Sequence, residues 1–172
     1  PVDKNIECYD VFNLRPRKDL FYAMSHGVNR AILKKGKNDS RIHFLNSLIK
    51  KINGINYDFY GFENKEPVWG DDFYKALINS KMGLNLSRGA PTKYYSSNRI
   101  ASLMGNGLLT FIDQKTSMND IFSKSEIIFY NSLDDLSDKI LFYKKKERLR
   151  AKIAKNGKTK YFKLFNETKI SK

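Results

Sequence analysis

The stretch with the most chemical content runs from Ser87 to Asp113, SRGAPTKYYSSNRIASLMGNGLLTFID. It opens with a loop carrying Arg88, Gly89 and Lys93, passes Ser96 and Ser97, and continues through Asn98 and Arg99 into an apolar helical pattern. A helix starting at Ser97–Asn98 offers unpaired backbone N–H groups and the positive end of its dipole, which suit a phosphate. Lys93 and Arg99 add charge there, so the predicted chemistry is stabilisation of a phosphorylated anion. The plainer reading of the same residues is structural: a serine caps the helix and Gly107 ends it, as in many strand–loop–helix units.

A second candidate is the loop His26–Arg30, with Lys37 and Arg41 following. His26 falls at the end of a predicted strand, where parallel sheets bind their ligands. Arg30 and Lys37 taken singly fit a solvated basic face. His43 falls inside a predicted helix and is structural. Two histidines and one cysteine make no metal-ligand cluster at a recognised spacing. Asp71–Asp72 is an acidic pair in the first turn of a helix, where the dipole favours it.

The elements that must position these groups follow from apolar patterning. Asp19–Ser25, Ile55–Phe62, Met82–Leu86, Leu108–Ile112 and Glu126–Tyr130 have the composition and bounding turns of strands. Helical spacing falls after Asp39–Ser40 through Ile52, over Asp71–Ser80 and over Ser96–Gly105. It recurs from Ser132 or Asp134 to about Lys145, and over Glu147–Lys160. Strands alternating with helices predict an α/β, Rossmann-like parallel sheet with helices on both faces. Residues 1–18 read as an irregular segment or inter-domain linker, and 19–172 as one domain. The chain opens on Pro1 without a methionine, the expectation for a fragment of a longer protein.

Composition narrows the partners. The chain has 172 residues with 32 Lys+Arg against 18 Asp+Glu, a formal charge of +14, which attracts anions of any kind. The basic, aromatic tail Lys139–Lys172 suits a nucleic-acid backbone, an anionic lipid surface or a solvated face. Cys8 alone rules out an internal disulfide and fits a cytoplasmic location. No apolar run approaches the ~20 residues that span a bilayer, and no signal peptide is recognisable.

Asn98–Thr110 resembles the signature helix of the GT-B glycosyltransferases, in particular the family 4-like group that includes the spore-maturation CgeB-like proteins. Arg99 matches the arginine that begins that helix, Met104 and Gly107 its Met-Ala-Cys-Gly-like end, and Leu108–Thr110 the following strand. The likeness extends more weakly over residues 19–165, through Gly70–Ser87, Glu126–Tyr130 and the helical end with Arg148, Ile153, Asn156 and Gly157. Two glutamates of the wider family, one near the donor sugar and one on the donor ribose, are replaced by Tyr94 and Ser102. Serine is a shorter, neutral partner for a ribose hydroxyl.

The resemblance implies the donor-binding half of an enzyme moving a sugar from a nucleoside-diphosphate sugar to an acceptor hydroxyl, in surface polysaccharide or glycolipid synthesis. It implies a diphosphate held by Ser97, Asn98 and Arg99, by Arg88 or Lys93, and by Arg30 or Lys37. Ribose and sugar fall to Ser102, Tyr94 and His26. No metal or other cofactor is implied. The acceptor glycan or glycolipid is expected mainly on an N-terminal domain that this chain lacks, with peripheral contact at the inner face of the membrane and no nucleic-acid partner. No catalytic base is visible, and the isolated chain is expected to bind nucleotide weakly without useful turnover. The rival readings are a basic nucleic-acid-binding module and a non-catalytic Rossmann-like interaction domain.

Overall fold

Runs of apolar residues bounded by turns become strands buried on both faces. The computed structural model describes residues 2–25, 39–95 and 97–170. In it, β1 (Lys18–Ala23), β2 (Tyr57–Tyr60), β3 (Ser80–Asn85), β4 (Leu109–Asp113) and β5 (Ile128–Tyr130) form one sheet in the order β2-β1-β3-β4-β5. Every pairing is parallel, as connections through helices require. The expected α/β, Rossmann-like architecture is therefore the one observed.

Alternation along the strands divides the core in two. Leu20, Tyr22, Met82, Leu84, Leu109, Phe111, Ile128 and Tyr130 pack with Leu45 and Leu48 of α1 (Ser40–Lys51) and with Leu136 and Ile140 of α4 (Leu133–Lys145). The opposite face sends Phe21 and Ala23 against Ala76 and Leu77 of α2 (Gly70–Ile78) and Leu103 of α3 (Asn98–Gly105). On that face Ile112 and Phe129 meet Ile100 and Met104 of α3 and Tyr161 of α5 (Glu147–Phe165). Helices thus cover both faces.

Two glycines set how closely α3 lies on the sheet and where it stops. A Cβ on Gly83 would fall 2.3 Å from Leu103 Cδ2, so the Leu103 side chain of α3 packs directly on the bare backbone of β3. Gly107 has φ +76. Its N–H donates to the Met104 carbonyl and that of Leu108 to Leu103, a Schellman arrangement that needs a left-handed residue.

Element boundaries depart from the sequence expectation mainly at two places. The last long helix runs on through Tyr161 to Phe165, because the aromatic residues there are apolar packing: Tyr161 stacks on Phe122 with ring centroids 5.9 Å apart. The N-terminal segment is irregular apart from a 3-10 turn at Val11–Asn13. It is nevertheless packed: Val2 and Val11 are buried, and Val2 bridges to Asn166, between α5 and α6 (Glu167–Ile170).

Candidate functional site: a cleft at the strand carboxyl ends

The chain leaves β1 toward β2 on one side and returns to place β3 on the other side of β1. The sheet order reverses there, and ligands of open parallel sheets bind in the crevice outside the strand ends at such a point. Two cavities open at this end. The larger, about 630 Å³, is lined by Ala23–Ser25 after β1, Val68–Gly70, Phe73 and Tyr74 of α2, and Tyr95, Ser97, Asn98, Arg99 and Ser102 of α3 and its approach. The smaller, about 190 Å³, lies across the loop after β3, among Arg41, Phe44, Asn85, Asp113, Thr116 and Tyr130.

Arg99 holds the floor of the larger cavity. Its Nε donates to the Ala23 carbonyl at 3.0 Å and its Nη1 to the Leu86 carbonyl at 2.8 Å. One guanidinium thus ties the carboxyl ends of β1 and β3 together at the point where the order reverses. It lies over Tyr22, whose hydroxyl donates to the same Leu86 carbonyl at 3.4 Å and accepts from Arg41 Nη1 at 3.4 Å. Burial lowers the Arg99 pKa, and burial raises that of Tyr22 against the pull of both arginines. Arg41 is itself paired with Asp39 at 2.6 Å.

The start of α3 offers anion-binding groups. Ser97 is the N-cap in extended backbone, but its Oγ donates to Asn85 Oδ1 at 3.2 Å instead of capping. Among the described residues, the amides of Asn98 and Arg99 have no hydrogen-bond partner, whereas those of Ile100 and Ala101 reach the Ser97 carbonyl. The capping chemistry expected of the serine is therefore not used, and the first amides stay available at the cavity wall.

The structure brings Ser97, Asn98, Arg99 and Ser102 to one cavity. It places the other described candidates elsewhere. Arg88 and Lys93 are exposed on the loop, and Lys93 Nζ sits 4.8 Å from the centroid of the Tyr94 ring. Tyr94 has φ +57, and its hydroxyl donates to Asp120 Oδ2 at 2.6 Å. His26, Arg30 and Lys37 lie outside the described residues. Two lining residues escaped the sequence reading. Trp69, 65% exposed at the cavity rim, is an amphipathic ring of the kind that stacks on a flat ligand. Tyr74 adds a hydroxyl beside Ser102. The one available signal was a lone tryptophan next to glycine in a loop after a strand.

In the smaller cavity the buried Tyr130 hydroxyl has no hydrogen-bond partner among the described residues, and burial pushes its pKa up. Among the described residues no group of three His, Cys, Asp or Glu is placed to hold a metal ion, and no helix is long and apolar enough to cross a membrane.

A parallel sheet with helices on both faces and a crevice where its strand order reverses is the architecture of a Rossmann-like α/β domain. The sequence matches the glycosyl transferase-like family over residues 35–168, and the chain belongs to that family. Solved structures agree on the fold. S. aureus TarM in complex with Fondaparinux, alpha-GlcNAc-glycerol and UDP superposes with TM-score 0.65 at 15% identity, over 92% of this chain and 35% of that one. Sucrose-phosphate synthase from Thermosynechococcus elongatus gives 0.60 at 12%, over 99% and 49%. Anabaena HepE in complex with UDP and glucose gives 0.53 at 12%, over 97% and 42%. The chain thus spans from about a third to a half of the length of these proteins. No curated protein sequence matches it.

Proposed function

We propose that this domain holds the donor of a glycosyltransferase, a nucleoside-diphosphate sugar, in the cavity at the start of α3. The observation that carries the reading is the pair of amides at Asn98 and Arg99, without a hydrogen-bond partner among the described residues, aligned with a helix axis and set in the wall of a cavity of about 630 Å³. The departing diphosphate gains negative charge as the sugar leaves, and fixed N–H dipoles stabilise it without reorganising. Arg99 contributes charge and holds the strand ends, with its Nε and Nη1 committed to carbonyls. Lys93 and Arg88, exposed on the loop, have the length to turn toward the diphosphate, and Arg30 and Lys37 remain candidates for the same charge.

Within the family we place the chain in the CgeB-like, family 4-like group, on Arg99, Met104 and Gly107. The UDP printed for two of the superposed structures supports a nucleoside diphosphate as donor carrier. The acceptor glycan or glycolipid belongs on a second domain, and closure of two domains completes the reaction site. We assign no metal or cofactor to the chemistry, a cytoplasmic setting, and peripheral contact with an anionic membrane through the basic α4 and α5 surface.

Calorimetric titration with UDP, GDP, ADP and CMP tests the reading. Selective binding of one nucleoside diphosphate is the expected result. Equal, salt-sensitive binding of all four and of nucleic acid would replace the donor site with a general polyanion surface, and no binding would leave an interaction domain.

A further inference from the structure

The smaller cavity carries hydrogen-bonding capacity that the fold leaves unused. Tyr130, at the end of β5, is 2% exposed, and its hydroxyl is buried without a partner among the described residues. Leaving a buried hydroxyl unpaired is costly, and native structures seldom do so. Asn85, at the end of β3, is 3% exposed; its Oδ1 accepts from Ser97 Oγ at 3.2 Å, and its Nδ2 donates to no described residue. Asp113, at the end of β4, accepts from the Lys115 amide on Oδ1 at 2.8 Å, and its Oδ2 has no donor among the described residues. All three line the one cavity. Two donors and an acceptor thus converge from the carboxyl ends of three neighbouring strands.

The other walls restrict what those groups would meet. Phe44 of α1, whose ring centroid lies 6.3 Å from that of Tyr130, and Leu86 give the cavity an apolar side. Among the described residues Arg41 is the one cation on the wall, and it is paired with Asp39 at 2.6 Å. With Asp113 present and that guanidinium neutralised, a phosphate gains little here. Burial keeps the Tyr130 hydroxyl protonated at neutral pH, so it acts as a donor. The volume of about 190 Å³ equals the share of roughly six waters, and it is below the size of pockets that enclose larger ligands such as nucleotides. A small neutral molecule with hydroxyls on its edge and a C–H face for the aromatic ring fits these walls: a single pyranose. We propose that this second cavity binds one neutral sugar unit of the acceptor glycan, with Tyr130 and Asn85 donating to its hydroxyls and Asp113 accepting from one of them. The remainder of the acceptor stays on the second domain. Ser97 adjoins both sites, since it lines the larger cavity and gives its hydroxyl proton to Asn85 in the smaller. The word acceptor rests on the transferase reading above; the binding of a sugar does not.

The test titrates the methyl glycosides of glucose, galactose, mannose and N-acetylglucosamine, and inorganic phosphate, into the wild-type protein, Tyr130→Phe and Asp113→Asn, followed by NMR. At least one glycoside is expected to bind wild type, and to bind each variant about tenfold more weakly. Tyr130→Phe keeps the ring against Phe44 and removes a hydroxyl without a partner, so its melting temperature should hold or rise, and its affinity for nucleoside diphosphate should not change. A fall in that melting temperature, no glycoside binding to wild type, undiminished binding to Tyr130→Phe, or phosphate binding more tightly than every glycoside overturns the sugar site. A nucleoside-diphosphate hexose that loses affinity in Tyr130→Phe while the bare diphosphate does not would assign the cavity to the donor's own sugar and overturn the acceptor assignment. Glycoside binding without any nucleotide binding overturns the donor reading and leaves the sugar site standing.

Discussion

The guanidinium carbon of Arg99 lies 4.9 Å from the centroid of the Tyr22 ring, while two of its nitrogens donate to the Ala23 and Leu86 carbonyls. A lysine cannot span two carbonyls and a ring face at once, because its ammonium is a point donor rather than a planar fork. Arg99→Lys is therefore expected to lose about 2 kcal/mol of stability in urea unfolding. Nucleotide affinity should drop with it, since the strand ends that floor the cavity are no longer tied.

Trp69 is the only tryptophan in the chain, so its emission reports on the cavity directly. Nucleotide binding should quench or shift that emission. Trp69→Ala should weaken binding by about tenfold, the worth of one base–aromatic stack. The melting temperature should hardly move, because the side chain is 65% exposed.

Asp19 sits buried at the start of β1, with Lys81 at 2.8 Å, Lys144 at 3.0 Å and the Asn56 amide donating at 3.0 Å. Burial alone would raise its pKa, but the Lys81 bond, the amide and Lys144 outweigh it and hold the carboxyl below its ordinary value. A group depressed on folding contributes stability above its unfolded pKa, near 4, and loses it as pH falls through the folded value. Unfolding free energy should be flat from neutral pH to about 5 and decline below about 4. Asp19→Asn should start about 1 kcal/mol lower at neutral pH, having left two half-buried lysines without their carboxylate, and should show a shallower acid limb.

Gly157 packs α5 against the backbone before β5, and a Cβ there would fall 2.2 Å from the Glu126 carbonyl oxygen. Ordinary helix propensity favours alanine over glycine by up to ~1 kcal/mol. Here the clash with fixed backbone reverses the sign, and Gly157→Ala should cost about 2 kcal/mol in denaturant unfolding.

The architecture was legible because apolar runs such as Leu108–Ile112 have no other stable use than a strand covered on both faces. The α3 unit was legible for a related reason: Gly107 marks the one residue there that must be left-handed. The site was only half legible. Ser97, Asn98, Arg99 and Ser102 are close in sequence and stay close in space, but an arginine at a helix start looks the same whether it meets a phosphate or two strand carbonyls. Tyr74 was invisible because 28 residues separate it from Ser102. Only the fold brings them together. The extension of α5 past Lys160 is not legible in the sequence, because Tyr161 and Phe165 stand among lysines as a surface tail would, whereas in the fold their rings fill a cluster with Phe122.

Val2 donates to the Phe165 carbonyl at 2.8 Å and accepts from the Glu167 amide at 3.1 Å. Terminal helices and leading segments ordinarily fray independently and cheaply. Here the two are knotted, so unwinding the close of α5 and lifting the first residues are a single event. That event would also slacken the stretch carrying Glu7, whose side chain packs on Gly105 of α3, so the order of the last helical turn bears on how firmly the far end of that helix is backed.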